Sequence, residues 1–130
     1  MRIYTYGVYD LFHYGHLRAL KKAKELGDEL VVGVFTDKVA ESFKRKPIMN
    51  EEERTKLINE LGLSMVVYQD TFLPNEDILD ILGIDVVAKA EGAGWSEDEM
   101  PKFKGIKSVL LDYTEGVSTS DIIKRIYDNK

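Results

Sequence analysis

Residues 7–16 read GVYDLFHYGH, and they hold both histidines of a 130-residue chain. His13 and His16 stand three apart, with Gly15 between them. On a helix that spacing puts two imidazoles on one side, one turn apart. If the helix opens near His13 or Tyr14, its first turn offers free N–H groups and positive partial charge, a combination that attracts phosphate. Gly15 lets a ligand approach the backbone, and Gly7, at the end of the preceding strand, is expected to do the same on the facing wall. Two imidazoles and exposed amides suit a phosphate whose charge grows during reaction, because modest shifts bring a histidine proton into play near neutrality. A metal pair is the competing chemistry. Against it, the spacing is not the i, i+4 of a helical zinc pair, and no cysteine is present to complete a site.

A second chemical feature is FKRK, residues 43–46. Lys44, Arg45 and Lys46 are three consecutive cations in a chain of formal net charge −5. Such a run can be a solvated loop, or it can meet a small, dense anion. The acidic balance argues against a nucleic-acid polymer as partner. The absence of cysteine excludes disulfides and thiol nucleophiles. The hydrophobic content of 44% is that of an ordinary soluble globule. No apolar run reaches membrane-spanning length, and the start, MRIYTYG, lacks the apolar stretch of a secretory signal. Cytoplasmic residence, with no membrane partner, is the expectation.

These residues need elements to position them. RIYTY (2–6) reads as a first strand running into Gly7. Leu17, Leu20, Ala23 and Leu26 recur at three-residue steps and predict a helix from Tyr14 to Leu26. ELVVGVF (29–35) is a nearly continuous apolar run, suited to a strand buried on both faces. Residues 36–49 read as a polar, basic connection. Asn50 caps a helix with Glu51, Glu52 and Glu53 in its first turn, ending near Leu61. Residues 64–68, 85–89 and 107–112 are further strands, 75–82 a short helix, and 90–103 a glycine-rich irregular stretch. A last helix opens at Ser118 or Thr119. Strands alternating with helices predict an α/β fold: a single Rossmann-like domain over residues 1–130, with a mainly parallel five-stranded sheet and helices on both faces. In such sheets ligands bind beyond the carboxyl ends of the strands, so residues 7–16, 36–47, 90–95 and 112–119 should gather at one edge.

With the motifs placed, GVYDLFHYGH resembles the Gly-x-Phe-Asp-x-x-His-x-Gly-His signature of the cytidylyltransferases, within the wider HxGH nucleotidylyltransferase superfamily. TEGVSTSDIIKRI (114–126) resembles that family's second signature, and FKRKPIMNEEER (43–54) its lysine-containing segment. The similarity covers nearly the whole chain, and the short length is most like the glycerol-3-phosphate branch. The resemblance implies that an acceptor phosphate attacks the α-phosphorus of CTP and pyrophosphate leaves, with Mg²⁺ bound to the nucleotide phosphates. It implies His13, His16, Lys44 and Lys46 as catalytic groups, the lysines approaching from a mobile loop whose closure excludes water. It further implies nucleotide contacts from Gly7, Val8, Tyr9, Asp10, Gly15, Glu91, Tyr113, Thr114, Glu115, Gly116, Ser118 and Thr119. Trp95 and Arg45 would border the acceptor, and a homodimer would be the assembly. No protein ligand to the metal is assigned. A structural hydrogen bond at the helix start is the other role open to Asp10, capping that open to Ser118 and Thr119, and a salt bridge that open to Arg54.

Three segments depart from the pattern. Tyr113 stands where the family has an arginine, and a tyrosine lacks its charge and fork of donors. GLSMV (62–66) replaces an Arg-Tyr-Val-Asp-Glu-like stretch, and KAEGAGW (89–95) replaces a Gly-Asp-Asp or His-Asp-Asp sequence, where Lys89 and Glu91 offer partial compensation. An aromatic before the second signature is also found in adenylyltransferases acting on sugar phosphates such as heptose phosphate, which makes ATP the alternative to CTP. Phosphocholine, phosphoethanolamine and heptose phosphate are the alternative acceptors.

Overall fold

The computed structural model describes residues 1–90, 101–112 and 118–129. Five strands, β1 (Arg2–Gly7), β2 (Glu29–Phe35), β3 (Met65–Gln69), β4 (Val86–Ala90) and β5 (Lys107–Leu111), form one sheet in the order β3-β2-β1-β4-β5. Every neighbouring pair is parallel. The helices are α1 (Tyr14–Glu25), α2 (Asp37–Phe43), α3 (Glu51–Glu60), α4 (Glu76–Ile81) and α5 (Thr119–Asp128). The α/β, Rossmann-like class expected from the sequence is the one observed.

Period-two alternation along the strands sends apolar side chains to both faces, and two cores result. Ile3, Val32, Val34, Val86 and Ala88 pack with Leu20 and Ala23 of α1 and Ile58 of α3. On the other face Tyr4, Tyr6, Val31, Phe35 and Val87 pack with Ala40 of α2 and Leu79 of α4. Gly33 serves the second core by omission. A Cβ there would stand 1.9 Å from the Tyr4 hydroxyl, which crosses β2 to donate to the Gln69 side chain at 2.6 Å.

Helix α2 is a correction, because residues 36–49 were expected to be a connection throughout. Thr36 caps it by accepting from the Val39 amide, Asp37 lies in its first turn, and Ala40 is buried. Its last residue, Phe43, packs edge-on against Phe35 and Phe72, with ring centroids 5.1 and 5.0 Å away. Seven residues are too few to show a helical period, and tertiary packing supplies what propensity does not. Among the described residues no helix is long and apolar enough to cross a membrane.

The strand order reverses between β1 and β4, so the connections from their carboxyl ends diverge and leave a crevice. The chemistry-bearing loops converge at this edge.

Candidate active site

The loop after β1 turns through an uncommon backbone conformation. Tyr9 and Leu11 have φ of 58° and 49°, in the left-handed region that side-chain-bearing residues rarely occupy. Asp10, between them, holds that geometry. It is 4% exposed, and its two carboxylate oxygens accept the amides of Ile48 and Met49 at 2.8 and 2.9 Å. Its carbonyl accepts the Thr119 hydroxyl at 2.8 Å. Asp10 is thus a fastener between three loops, with its carboxylate on the chain after the basic run rather than at the start of α1.

Gly7 is packed by its own loop. The space left by its missing side chain is filled by the Tyr9 ring, which would stand 3.2 Å from a Cβ there. Tyr9 is itself a core residue, 7% exposed, and the Val8 carbonyl accepts from Arg54 at 2.8 Å. Gly7, Val8 and Tyr9 therefore shape the wall behind the histidines.

At the start of α1 the two imidazoles cap the helix reciprocally. The Gly15 amide donates to His13 Nδ1 at 3.1 Å, and the His13 amide donates to His16 Nδ1 at 3.2 Å. Two amides expected to be free for an anion are thereby occupied, that of Gly15 included. The exchange has a chemical consequence. An Nδ1 that accepts an amide hydrogen must carry its lone pair, so each neutral ring holds its proton on Nε2. The pair presents two Nε2–H donors in place of the amides. The rings stack 3.8 Å apart at 22°, and His16 is flanked by Tyr9 and Phe12 at 5.5 and 5.4 Å.

This packing keeps the pair neutral. Burial lowers the pKa of His16 to about 3, assisted by the charges of His13, Lys44 and Lys89. Burial and then Lys44 lower that of His13 as well. Between pH 6.5 and about 3 the unfolded chain protonates at position 16 while the folded protein does not, so folding stability should fall as the pH drops through that window. NMR of the His16 ring should find no titration near 6.5 in the free protein and a midpoint close to 3.

Lys44 is the cation felt by both rings. It is exposed, and its own pKa is lowered by partial burial and by Arg45, against an opposing pull from Asp10. Arg45 reaches Ser120 on α5, Nη1 to Oγ at 3.4 Å. Lys46 is an exposed residue of the same segment. Ser118 caps α5 by accepting the Asp121 amide at 3.1 Å, and Thr119 is buried against Asp10. The structure thus gathers residues 7–16, 44–49 and 118–120. Glu91, Trp95, Tyr113, Thr114, Glu115 and Gly116 lie outside the described residues.

Sequence reasoning left Arg54 open and named Lys89 only in passing. Arg54 is wholly buried and donates to the carbonyls of Met49, Val8 and Phe35 and to Asp37 Oδ1, at 2.9, 2.8, 2.8 and 2.6 Å. Lys89 is buried beneath the crevice. Its alternation with Val87 in VVAKA was the available signal, since that register points a lysine toward a core face.

Comparison with known proteins follows this geometry. A cytidylyltransferase-like family model matches residues 4–125. An ethanolamine-phosphate cytidylyltransferase of Dictyostelium discoideum is 37% identical over 97% of this chain and 36% of its own. A glycerol-3-phosphate cytidylyltransferase of Staphylococcus aureus is 33% identical over 97% of this chain and 95% of its own. The bifunctional protein HldE of Campylobacter concisus is 38% identical over 98% of this chain and 27% of its own. The chain therefore spans about a third of the first of these relatives, about a quarter of the third, and nearly all of the second. A solved structure, that of a lipopolysaccharide core biosynthesis protein from Thermoplasma volcanium, superposes with a TM-score of 0.76 at 28% identity, covering 88% of this chain and 98% of that one.

Proposed function

Because the chain belongs to the cytidylyltransferase-like family, we propose that it is a nucleotidyltransferase moving CMP from CTP to an alcohol phosphate, with glycerol 3-phosphate the leading acceptor. The products are CDP-glycerol and pyrophosphate. The reading rests above all on the stacked His13–His16 pair, whose Nε2–H donors stand at a helix N-terminus beside Lys44. An acceptor phosphate oxygen attacks the α-phosphorus, and the bond to the pyrophosphate oxygen breaks. Charge accumulates on the departing phosphates, and preformed donors meet it without reorganising. Neutral imidazoles donate without having to lose a proton first. Lys44 adds point charge.

Mg²⁺ belongs to the proposal as a companion of the nucleotide, neutralising phosphate charge when bound. Among the described residues no cluster of three His, Cys, Asp or Glu could hold a metal ion, and the Asp10 carboxylate is already engaged by two amides. In the proposal the ion is carried mainly by substrate phosphates, as Mg²⁺ commonly is. The proposed assembly is a homodimer, supported by a sheet edge, β3, that exposes Met65 and Tyr68.

A second reading, an adenylyltransferase acting on a sugar phosphate such as heptose phosphate, is favoured by Tyr113 and by the lipopolysaccharide core biosynthesis neighbour. One experiment separates them. The protein is incubated with CTP or ATP against glycerol 3-phosphate, phosphocholine, phosphoethanolamine and heptose 1-phosphate, and pyrophosphate release is followed. CTP with glycerol 3-phosphate should be fastest. Turnover confined to ATP and the sugar phosphate establishes the second reading. Pyrophosphate from no pair overturns nucleotidyl transfer.

A further inference from the structure

One buried amine has no part in the chemistry above. Lys89 lies at the carboxyl end of β4, next to the end of β1, at the reversal of strand order. It is 8% exposed. Its Nζ donates to the Tyr6 carbonyl at 2.5 Å and stands 4.3 Å from the centre of the Tyr6 ring. None of the ion pairs among the described residues includes it. Among the described residues the groups that face it are Tyr6 from β1, His16 from α1 and Lys44 from the segment after α2. Every one is neutral or cationic, and Tyr6 carries a buried hydroxyl with no hydrogen-bond partner among the described residues.

A lysine enclosed in this way is expensive as a structural filler. Its charge needs a counter-ion, none stands against it among the described residues, and an apolar side chain of similar length would fill the space at lower cost. Burial, followed by the charge of Lys44, takes its pKa from 10.5 down to about 7. Convergence of His16, Lys44 and Lys89 on one crevice is repulsive until an anion enters, when the same convergence becomes attractive.

We propose that Lys89 is a further phosphate-binding residue of this site, taking up a proton from solvent as a phosphate group settles among Lys89, His16 and Lys44. The proposal rests on the nucleotidyl-transfer reading and adds to it a floor group and a proton linkage. The phosphate belongs to the nucleotide or to the acceptor; the chemistry is shared, and experiment distinguishes them. Uptake is a simple balance, amine plus proton giving ammonium, with the negative charge of the ligand as the driving force.

The test is calorimetric. Wild-type protein and Lys89→Met are titrated at pH 8 with Mg²⁺-loaded CTP and, separately, with inorganic phosphate, each in two buffers of different ionisation enthalpy. Wild type should take up close to one proton more than Lys89→Met with the ligand that Lys89 meets. The variant should bind that ligand about tenfold more weakly and the other ligand unchanged. Equal uptake by the two proteins overturns the proposal. A second measurement needs no variant. In wild type labelled with ¹³C-lysine, one lysine should titrate near pH 7 and remain protonated beyond pH 9 when the ligand saturates. A spectrum in which every lysine titrates near 10.5 also overturns it. Turnover with unlinked protons defeats Lys89 alone, whereas failure of the wild type to bind CTP, ATP or phosphate defeats the nucleotidyl-transfer reading with it.

Discussion

Replacing His16 or His13 with alanine should lower kcat by about a hundredfold or more, the effect of removing one preorganised donor from a developing oxyanion. The structure adds a complication, because both rings also cap α1. Loss of a cap costs about 1 kcal/mol, so alanine alone mixes a catalytic defect with a small structural one. Asparagine separates them. In His13→Asn the amide oxygen can accept the Gly15 amide as Nδ1 does, and asparagine is a good N-cap, but nothing replaces Nε2–H. His13→Asn should therefore keep the wild-type thermal midpoint within a few degrees and still lose about a hundredfold in kcat. Steady-state kinetics beside a thermal melt reads both quantities. Normal turnover in both alanine variants would remove the imidazoles from the reaction.

The second large effect is on stability, at Arg54. This guanidinium is wholly buried and ties together the chain after β1 at Val8, the end of β2 at Phe35, the start of α2 at Asp37 and the residue before the α3 cap at Met49. Arg54→Leu leaves three carbonyls without their donor and Asp37 without its ion pair. Each buried carbonyl left without its donor costs about 1–3 kcal/mol, so the three together are a large share of the roughly 5–15 kcal/mol that holds a domain folded. A fall of more than about 10 °C in Tm is expected for a chain of this size. Arg54→Lys should recover little, since one ammonium cannot reach four acceptors arranged around a planar fork. Urea unfolding measures the loss. An unfolding free energy within about half a kilocalorie per mole of wild type would show that the knot carries no stability.

The strands and the longer helices were legible in the sequence because they are periodic. Apolar runs such as ELVVGVF and the spacing of Leu17, Leu20 and Ala23 write burial directly into residue order. Asn50 and Ser118 were legible as caps because capping is local, settled within three residues. What escaped is long-range or atomic. The Asp10 carboxylate meets amides 38 and 39 positions away, and Arg54 meets Val8 across 46. No window of sequence displays such partners. Gly7 was read as room for a ligand because its neighbour's ring direction is set by the left-handed turn at Tyr9. The imidazole box depends on which nitrogen of each ring faces which amide. Motif spacing names the pair without revealing that it is its own cap.

The short basic segment carries a consequence for how substrates arrive. Phe43 is wedged between two other aromatic rings, and Ile48 is tied down by Asp10, leaving only residues 44–47 as slack. At about 3.5 Å per residue, four residues hold roughly 14 Å of contour, too little for a flap that swings clear of the crevice. Reactants must thread in past cations already standing at their posts. Past this segment, entry should be governed by diffusion and charge attraction.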